Sequence, residues 1–174
     1  MDRRLFLTAA AATLASRPSL AALPFTFPSI DGGTYELTRW GGQPLLVVNT
    51  ASLCGFTDQY AGLQALHEAY AGRARVLAVP SDDFAQELGS NAEVAEFCEM
   101  HFGLTLPMTT IQPVRGPRAH PFYRWMARDH GFVPQWNFNK VLLDGSGRPV
   151  ATWGAGPDPM GRRIRNAING LLTA

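Results

Sequence analysis

Val48-Asn49-Thr50-Ala51-Ser52-Leu53-Cys54-Gly55-Phe56-Thr57-Asp58-Gln59-Tyr60 is the stretch on which the reading of this chain turns. The apolar run Leu45-Leu46-Val47-Val48 leads into it and has the length and composition of a buried strand. Small residues then form a loop that carries one cysteine. Beyond it Leu63, Leu66 and Tyr70 recur at helical spacing, with Gly72 as the stop signal. Cys54 therefore falls between the end of a strand and the start of a helix. Unpaired helix N–H groups and the positive end of the helix dipole favour negative charge at such a junction. A thiolate is such a charge, and junctions of this kind lower cysteine pKa values below the free value of about 8.5. A buried, inert cysteine is the competing reading.

On the N-terminal side, Pro24-Phe25-Thr26-Phe27-Pro28 and Thr34-Tyr35-Glu36-Leu37 flank Asp31-Gly32-Gly33, a hairpin pattern. On the C-terminal side, the helix is expected over Asp58 to Ala71, followed by an apolar strand, Arg75–Val79, closed by Pro80. Strand, helix, strand implies a parallel pair with a crossover. Ser90-Asn91-Ala92-Glu93 forms a capping box that opens a second helix. Val94, Phe97, Cys98 and His101 share one face of that helix, which makes Cys98 half-buried. Leu106–Thr110 reads as a short extended piece, and His120 to Ala127 as a third helix with Phe122, Tyr123 and Met126 inside. Val141–Leu143 and Val150–Trp153 flank Asp144-Gly145-Ser146-Gly147, a second hairpin. Asp158-Pro159 is expected to open the last helix, with Met160, Ile164, Ile168 and Leu171 as its core stripe. The order predicts a thioredoxin-like α/β sandwich: a central mixed sheet, an N-terminal β-hairpin and flanking helices.

Five further blocks accompany the cysteine loop. N-T-A-S-L-C-G-F-T-D-Q-Y resembles the peroxidatic motif of the glutathione peroxidase family. Gln86-Glu87-Leu88-Gly89-Ser90-Asn91 resembles its Q-E-P-G-S-N. Glu96-Phe97-Cys98 and Phe102-Gly103-Leu104-Thr105-Leu106-Pro107-Met108 resemble E-F-C and Y-G-V-T-F-P-M. Ala119-His120-Pro121-Phe122-Tyr123 resembles A-H-P-L-Y, and Trp136-Asn137-Phe138-Asn139-Lys140 resembles W-N-F-T-K. The likeness runs from about Phe25 to the C-terminus. It implies a thiol peroxidase that reduces hydrogen peroxide and organic or lipid hydroperoxides. Cys54 is the implied nucleophile, with Gln86, Trp136 and Asn137 completing a catalytic tetrad. Cys98 matches the resolving cysteine of members that recycle through a thioredoxin-like protein. In that role it attacks the Cys54 sulfenic acid, and its helix unwinds, because a disulfide needs Cα atoms within about 7 Å.

The residues themselves agree with single-thiol chemistry. Cys54 is followed by Gly55, Phe56 and Thr57, so the C-x-x-C of disulfide exchangers is missing. A lone thiolate attacks a peroxide oxygen, the O–O bond breaks, and sulfenic acid forms. The leaving oxygen then needs hydrogen-bond donors. One stretch departs from the family. Where members have F-P-C-N-Q-F-G-x-Q-E-P, this chain has Val79-Pro80-Ser81-Asp82-Asp83-Phe84-Ala85-Gln86-Glu87-Leu88, one residue shorter and with Asp82-Asp83 for Asn-Gln. Two carboxylates facing a thiolate disfavour it by like-charge repulsion. The short segment Ala127–Gln135 resembles the monomeric group, and the reductant is expected to be a thioredoxin-like protein, with glutathione as the alternative. Two other readings remain open: a peroxide sensor or relay, and a degenerate protein with a permanent Cys54–Cys98 disulfide.

A chain of 174 residues with 46% hydrophobic and 17% charged residues predicts one packed domain. The net charge of +1 gives no nucleic-acid surface; Arg162-Arg163-Ile164-Arg165 reads as a solvated helix face. The four histidines have no metal-ligand spacing, and no nucleotide, haem or flavin signature is present, so neither metal nor cofactor is expected. Residues 1–22 have the pattern of an export signal: Arg3-Arg4, a short apolar run and a small-residue end, similar to a twin-arginine signal. Its removal takes three arginines and one aspartate and changes the net charge from +1 to −1. Residues 23–174 would be the mature domain, exported and periplasmic.

Overall fold

The computed structural model describes residues 24–173. The expected export signal, residues 1–22, lies outside the described residues. Strands β1 (Thr26–Pro28) and β2 (Thr34–Glu36) form an antiparallel hairpin, joined through Gly32 and Gly33, both at positive φ. The central sheet has the order β4-β3-β5-β6, built from β3 (Leu45–Thr50), β4 (Arg75–Pro80), β5 (Lys140–Leu143) and β6 (Pro149–Trp153). β3 pairs parallel with β4 and antiparallel with β5, and β5 pairs antiparallel with β6.

β3 is buried along its whole length because both faces of the sheet are covered. Its side chains alternate, so Leu46 and Val48 join one core and Leu45 and Val47 the other. The first core receives Tyr60, Leu63 and Leu66 of α1 (Gln59–Ala69), Val94 and Cys98 of α2 (Asn91–Phe102), and Ile164 and Ile168 of α4 (Arg162–Leu172). The second receives Phe27 and, from α3 (Pro121–His130), Phe122, Tyr123 and Met126. This is the thioredoxin-like α/β sandwich that the element order predicts.

Several boundaries differ from expectation. α1 starts at Gln59 and ends at Ala69, because tight turns occupy Cys54–Asp58 and Tyr70 leaves helical geometry. α3 runs on to His130, where Gly131 in the left-handed region (φ 64°) caps it, and the His120 ring accepts from the Phe122 N–H at its start. α4 does not begin at Asp158-Pro159. The Asp158 carboxylate accepts from Met160 N (2.9 Å) and its carbonyl from Gly161 N (2.9 Å), which closes a separate turn before the helix. Leu106–Thr110 contributes two isolated bridges, Met108 to Ala78 and Thr109 to Ser29, and no strand. Cys98 is 1% exposed and not half-buried. Gln64 of α1 accepts from Thr105 N and Leu106 N, which pins that segment down beside α2.

Candidate active site

Cys54 sits just beyond the C-terminal end of β3, as in the sequence reading, but five residues before the first residue of α1. Consecutive turns fill the gap: Thr57 N–H donates to Cys54 O (3.0 Å), Gln59 N–H to Phe56 O (2.9 Å) and Tyr60 N–H to Thr57 O (2.9 Å). The Thr57 hydroxyl fixes the loop from inside, accepting from Cys54 N (3.1 Å) and lying 2.7 Å from Cys54 O. Dipole effects fade within the first helical turn, so the donor that reaches the sulfur is local. Phe56 N–H points at Cys54 Sγ (3.5 Å), the sole hydrogen bond to that atom among the described residues. Leu53 (60%), Phe56 (37%) and Trp136 (41%) are exposed apolar residues of this region, although Cys54 itself is 8% exposed.

Two distant segments are tied to this loop. Leu53 N–H donates to the Gln86 carbonyl (2.9 Å), which ties the cysteine loop to the loop after β4. Asn137 Nδ2 donates to Gln86 Oε1 (3.0 Å), so two predicted site residues touch directly. Trp136 packs on Phe84, ring centroids 5.3 Å apart. Cys54, Gln86, Trp136 and Asn137 are thus gathered at one end of the sheet. No hydrogen bond joins Gln86 Nε2 or the Trp136 indole to Cys54 Sγ among the described residues. The backbone at this end is strained: Ala85 and Phe138, the neighbours of Gln86 and Asn137, have φ of 54° and 59°.

Residues that single-residue reasoning passed over hold this arrangement. Asn49, the penultimate residue of β3, donates from Nδ2 to the Trp136 carbonyl (3.0 Å), and its own carbonyl accepts from Phe138 N–H. Lys140 Nζ donates to Phe138 O (2.7 Å) and to Gln59 Oε1 (2.8 Å), linking the Trp136–Phe138 turn to α1. Glu87 Oε1 accepts from Ser52 N (3.0 Å) and Leu88 N (2.9 Å). The sequence signal for Asn49 and Lys140 was their place inside two motif blocks. Glu87 was hidden by its neighbour Gln86.

Asp82 and Asp83 are engaged elsewhere and do not aim at the thiol. Asp82 accepts from Glu87 N (3.2 Å), and Asp83 Oδ2 accepts from Val114 N (2.6 Å) and Arg115 N (3.0 Å). They fasten the shortened loop. Cys98 lies in the penultimate turn of α2, in the same core cluster as Cys54, and both thiols are free. A crevice of about 440 Å³, lined by Ala95, Cys98, Glu99, Leu104 and Leu106 among others, reaches Cys98. Burial pushes the Cys98 thiol up to about 12, and the Glu87 charge adds to the rise.

A buried polar cluster lies beneath the cysteine loop. Thr50 Oγ1, Ser52 Oγ, Tyr60 Oη and Glu87 Oε2 are buried without a hydrogen-bond partner among the described residues. The Tyr60 hydroxyl approaches both Thr50 and Cys98 without closing a well-formed bond to either. Burial raises the Glu87 carboxyl above the usual range, against the pull of the Ser52 and Leu88 donors, and Asp82 raises it further.

A sandwich of this topology, with one free thiol in the loop after its first central strand and no C-x-x-C partner beside it, defines a thioredoxin-fold oxidoreductase. The family model for glutathione peroxidase matches residues 23–127. The chain belongs to the glutathione peroxidase family. It is 38% identical over 158 residues to a hydroperoxy fatty acid reductase of Synechocystis sp., covering 83% of this chain and 94% of that protein. It is also 38% identical over 154 residues to a glutathione peroxidase homolog of Staphylococcus aureus, covering 85% and 96% of the two chains. Among solved structures, T. cruzi GPX1 superposes with a TM-score of 0.66 at 30% identity, over 86% of this chain and 95% of that one. A thiol:disulfide interchange protein of Chlorobium tepidum shares the fold at 16% identity, with a TM-score of 0.66 over 90% and 98% of the two chains.

Proposed function

We propose that the protein reduces hydrogen peroxide and organic hydroperoxides through Cys54. The Cys54 thiolate attacks the terminal peroxide oxygen, the O–O bond breaks, and Cys54 becomes a sulfenic acid while water or an alcohol leaves with a proton from solvent. Gln86, Trp136 and Asn137 supply N–H donors to the oxygen on which negative charge develops. The Asn137–Gln86 bond, with the Leu53–Gln86 bond beside it, is the observation that carries this reading. It joins the three segments on which the four residues stand.

In the second half of the cycle Cys98 attacks the Cys54 sulfur, the S–O bond breaks, and water leaves. A dithiol protein of the thioredoxin type, or glutathione, then returns two electrons to the disulfide. The exposed apolar residues Leu53, Phe56 and Trp136 suit hydroperoxides with an apolar tail. The protein works as a monomer outside the cytoplasm, once residues 1–22 have been removed.

Peroxide consumption by the mature chain, with thioredoxin or glutathione as donor, tests the scheme. Cys54→Ser abolishes turnover. Cys98→Ser consumes one equivalent of peroxide and then stops with thioredoxin as donor. An undiminished rate in Cys54→Ser disposes of the reading.

A further inference from the structure

We propose that Glu87 is a positioning residue for the peroxide step: the oxygen it presents to the Ser52 N–H sets the cysteine loop in register with the Gln86 amide. The inference rests on the reading of Cys54, Gln86 and Asn137 given above and adds the group that holds them in place.

Three consecutive N–H groups lead up to the sulfur, and each has its own acceptor. Ser52 N–H donates to Glu87 Oε1 (3.0 Å), Leu53 N–H to Gln86 O (2.9 Å) and Cys54 N–H to Thr57 Oγ1 (3.1 Å). The Thr57 hydroxyl also lies against the carbonyls of Ala51 (3.0 Å) and Cys54 (2.7 Å). It shapes the loop from inside and does not decide where the loop stands. The other two acceptors belong to neighbouring residues of the loop after β4, and Glu87 is 35 positions from Ser52. One such bond would be a pivot; two bonds one residue apart fix both place and orientation. The Leu53–Gln86 bond is made by backbone alone, so the Ser52–Glu87 bond is the half of this clamp that depends on a side chain.

Glu87 is itself held firmly. It is buried, and Oε1 accepts a second bond from the Leu88 N–H (2.9 Å), so the carboxylate cannot swing away. Its backbone N–H donates to Asp82 Oδ1 (3.2 Å), and the Asp82 carbonyl accepts from Ala85 N–H (2.9 Å). Ala85 is kept at φ 54° by this arrangement, a conformation that persists only where its surroundings over-determine it. Gln86 therefore has a fixed residue on either side. Its side-chain oxygen is taken by Asn137 Nδ2 (3.0 Å), which leaves its N–H groups for the site.

The consequence is geometric. Attack on a peroxide needs the sulfur and the amide donors to address two bonded oxygens at once, and a misplacement of about 1 Å costs about 100-fold in rate. Alkylation of the same sulfur by iodoacetamide needs an accessible thiolate and no donor from Gln86. The ratio of the two rates therefore reads the placement of the loop. A change confined to stability, or to ionisation of the thiol, moves both rates together and leaves the ratio alone.

In a Cys98→Ser background Cys54 is the sole thiol, and mass spectrometry of timed samples gives its rate constants with hydrogen peroxide and with iodoacetamide. Glu87→Met fills similar space without an acceptor, and the ratio of peroxide to alkylation rate is expected to fall about 100-fold. Glu87→Gln keeps an oxygen for Ser52 and Leu88 and is expected to stay within about threefold of the Glu87 protein. Glu87→Asp keeps the charge and withdraws the oxygen by one methylene, for an expected fall of about 10-fold. An unchanged ratio in Glu87→Met overturns the proposal; if that variant does not fold, an unchanged ratio in Glu87→Asp does so. A fall in Glu87→Gln as deep as in Glu87→Met also overturns it, because the charge and not the accepting oxygen is then the cause. Gln86→Ala, measured alongside, separates the two layers of the argument. A fall in Gln86→Ala with none in Glu87→Met removes the positioning role alone, whereas an unchanged ratio in Gln86→Ala removes the role of Gln86 on which it rests.

Discussion

At the scale of single residues, the site depends on an amide pair whose members lie 51 positions apart in sequence, Asn137 and Gln86. Asn137 is fully buried and one of its polar atoms, Oδ1, has no partner among the described residues. Its flanking residue Phe138 is held at positive φ by the Asn49 carbonyl and by Lys140 on the Phe138 carbonyl. A strained backbone fixed from both sides keeps the side chain in place where an unstrained loop would let it turn. Asn137→Ala removes the donor and also strands Gln86 Oε1. The expected result is a loss of about 100-fold in kcat/KM for hydrogen peroxide, the size seen when one oxyanion donor is deleted. Steady-state peroxide assays, with far-UV circular dichroism to confirm the fold, measure it. A loss below about threefold assigns Asn137 to scaffolding.

At the scale of elements, the proposed two-cysteine cycle turns on α2, because it requires Cys98 to leave the core. Its carbonyl accepts from the N–H groups of Gly103 and Leu104, the bonds that close the end of the helix. Gly103 adopts φ 57°, where an L side chain costs about 1–2 kcal/mol. Gly103→Ala weakens that cap, and a loss of about 1 kcal/mol raises the open population roughly fivefold. Alkylation of Cys98 in a Cys54→Ser background is expected to speed up by that factor, and an unchanged rate shows that the helix opens elsewhere. The same element shows where sequence is informative. Ser90 and Glu93 mark its start because capping is local; Ser90 accepts from Glu93 N, although the Glu93 carboxylate bonds the Ser90 hydroxyl and not its backbone. The depth of Cys98 was underestimated because α1 and the 104–106 segment bury it, and neither is visible from the helix's own periodicity. α4 was misplaced because Asp158 spends its side chain on Met160. Cys54, Gln86 and Asn137 were legible through motif blocks, whereas Glu87 acts on Ser52, 35 positions away, and leaves no periodic trace.

At the scale of the whole molecule, two buried ionisable groups give the fold opposite pH slopes. Burial lowers the Lys140 ammonium to about 8 from an ordinary 10.5, while Asp158 pulls the other way. Between about pH 8 and 10.5 the unfolded chain therefore binds a proton that the folded chain does not, and stability rises with pH. Glu87 is raised above its ordinary 4.5, so the folded chain keeps a proton that the unfolded chain has lost, and stability falls as pH rises past that value. Lys140 is also where the fold and the site are joined, since its ammonium bridges Gln59, Phe138 and Ala155. Lys140→Met removes the titration and leaves those acceptors unpaired, so the variant is less stable at every pH. Urea denaturation of both proteins at intervals from pH 6 to 10 separates the two effects. The wild-type advantage is expected to be flat below about pH 7 and to grow by about 1–3 kcal/mol toward pH 10. A difference that stays constant across the range means that the three acceptors hold the ammonium charged in the core, and that Lys140 contributes only its bonds.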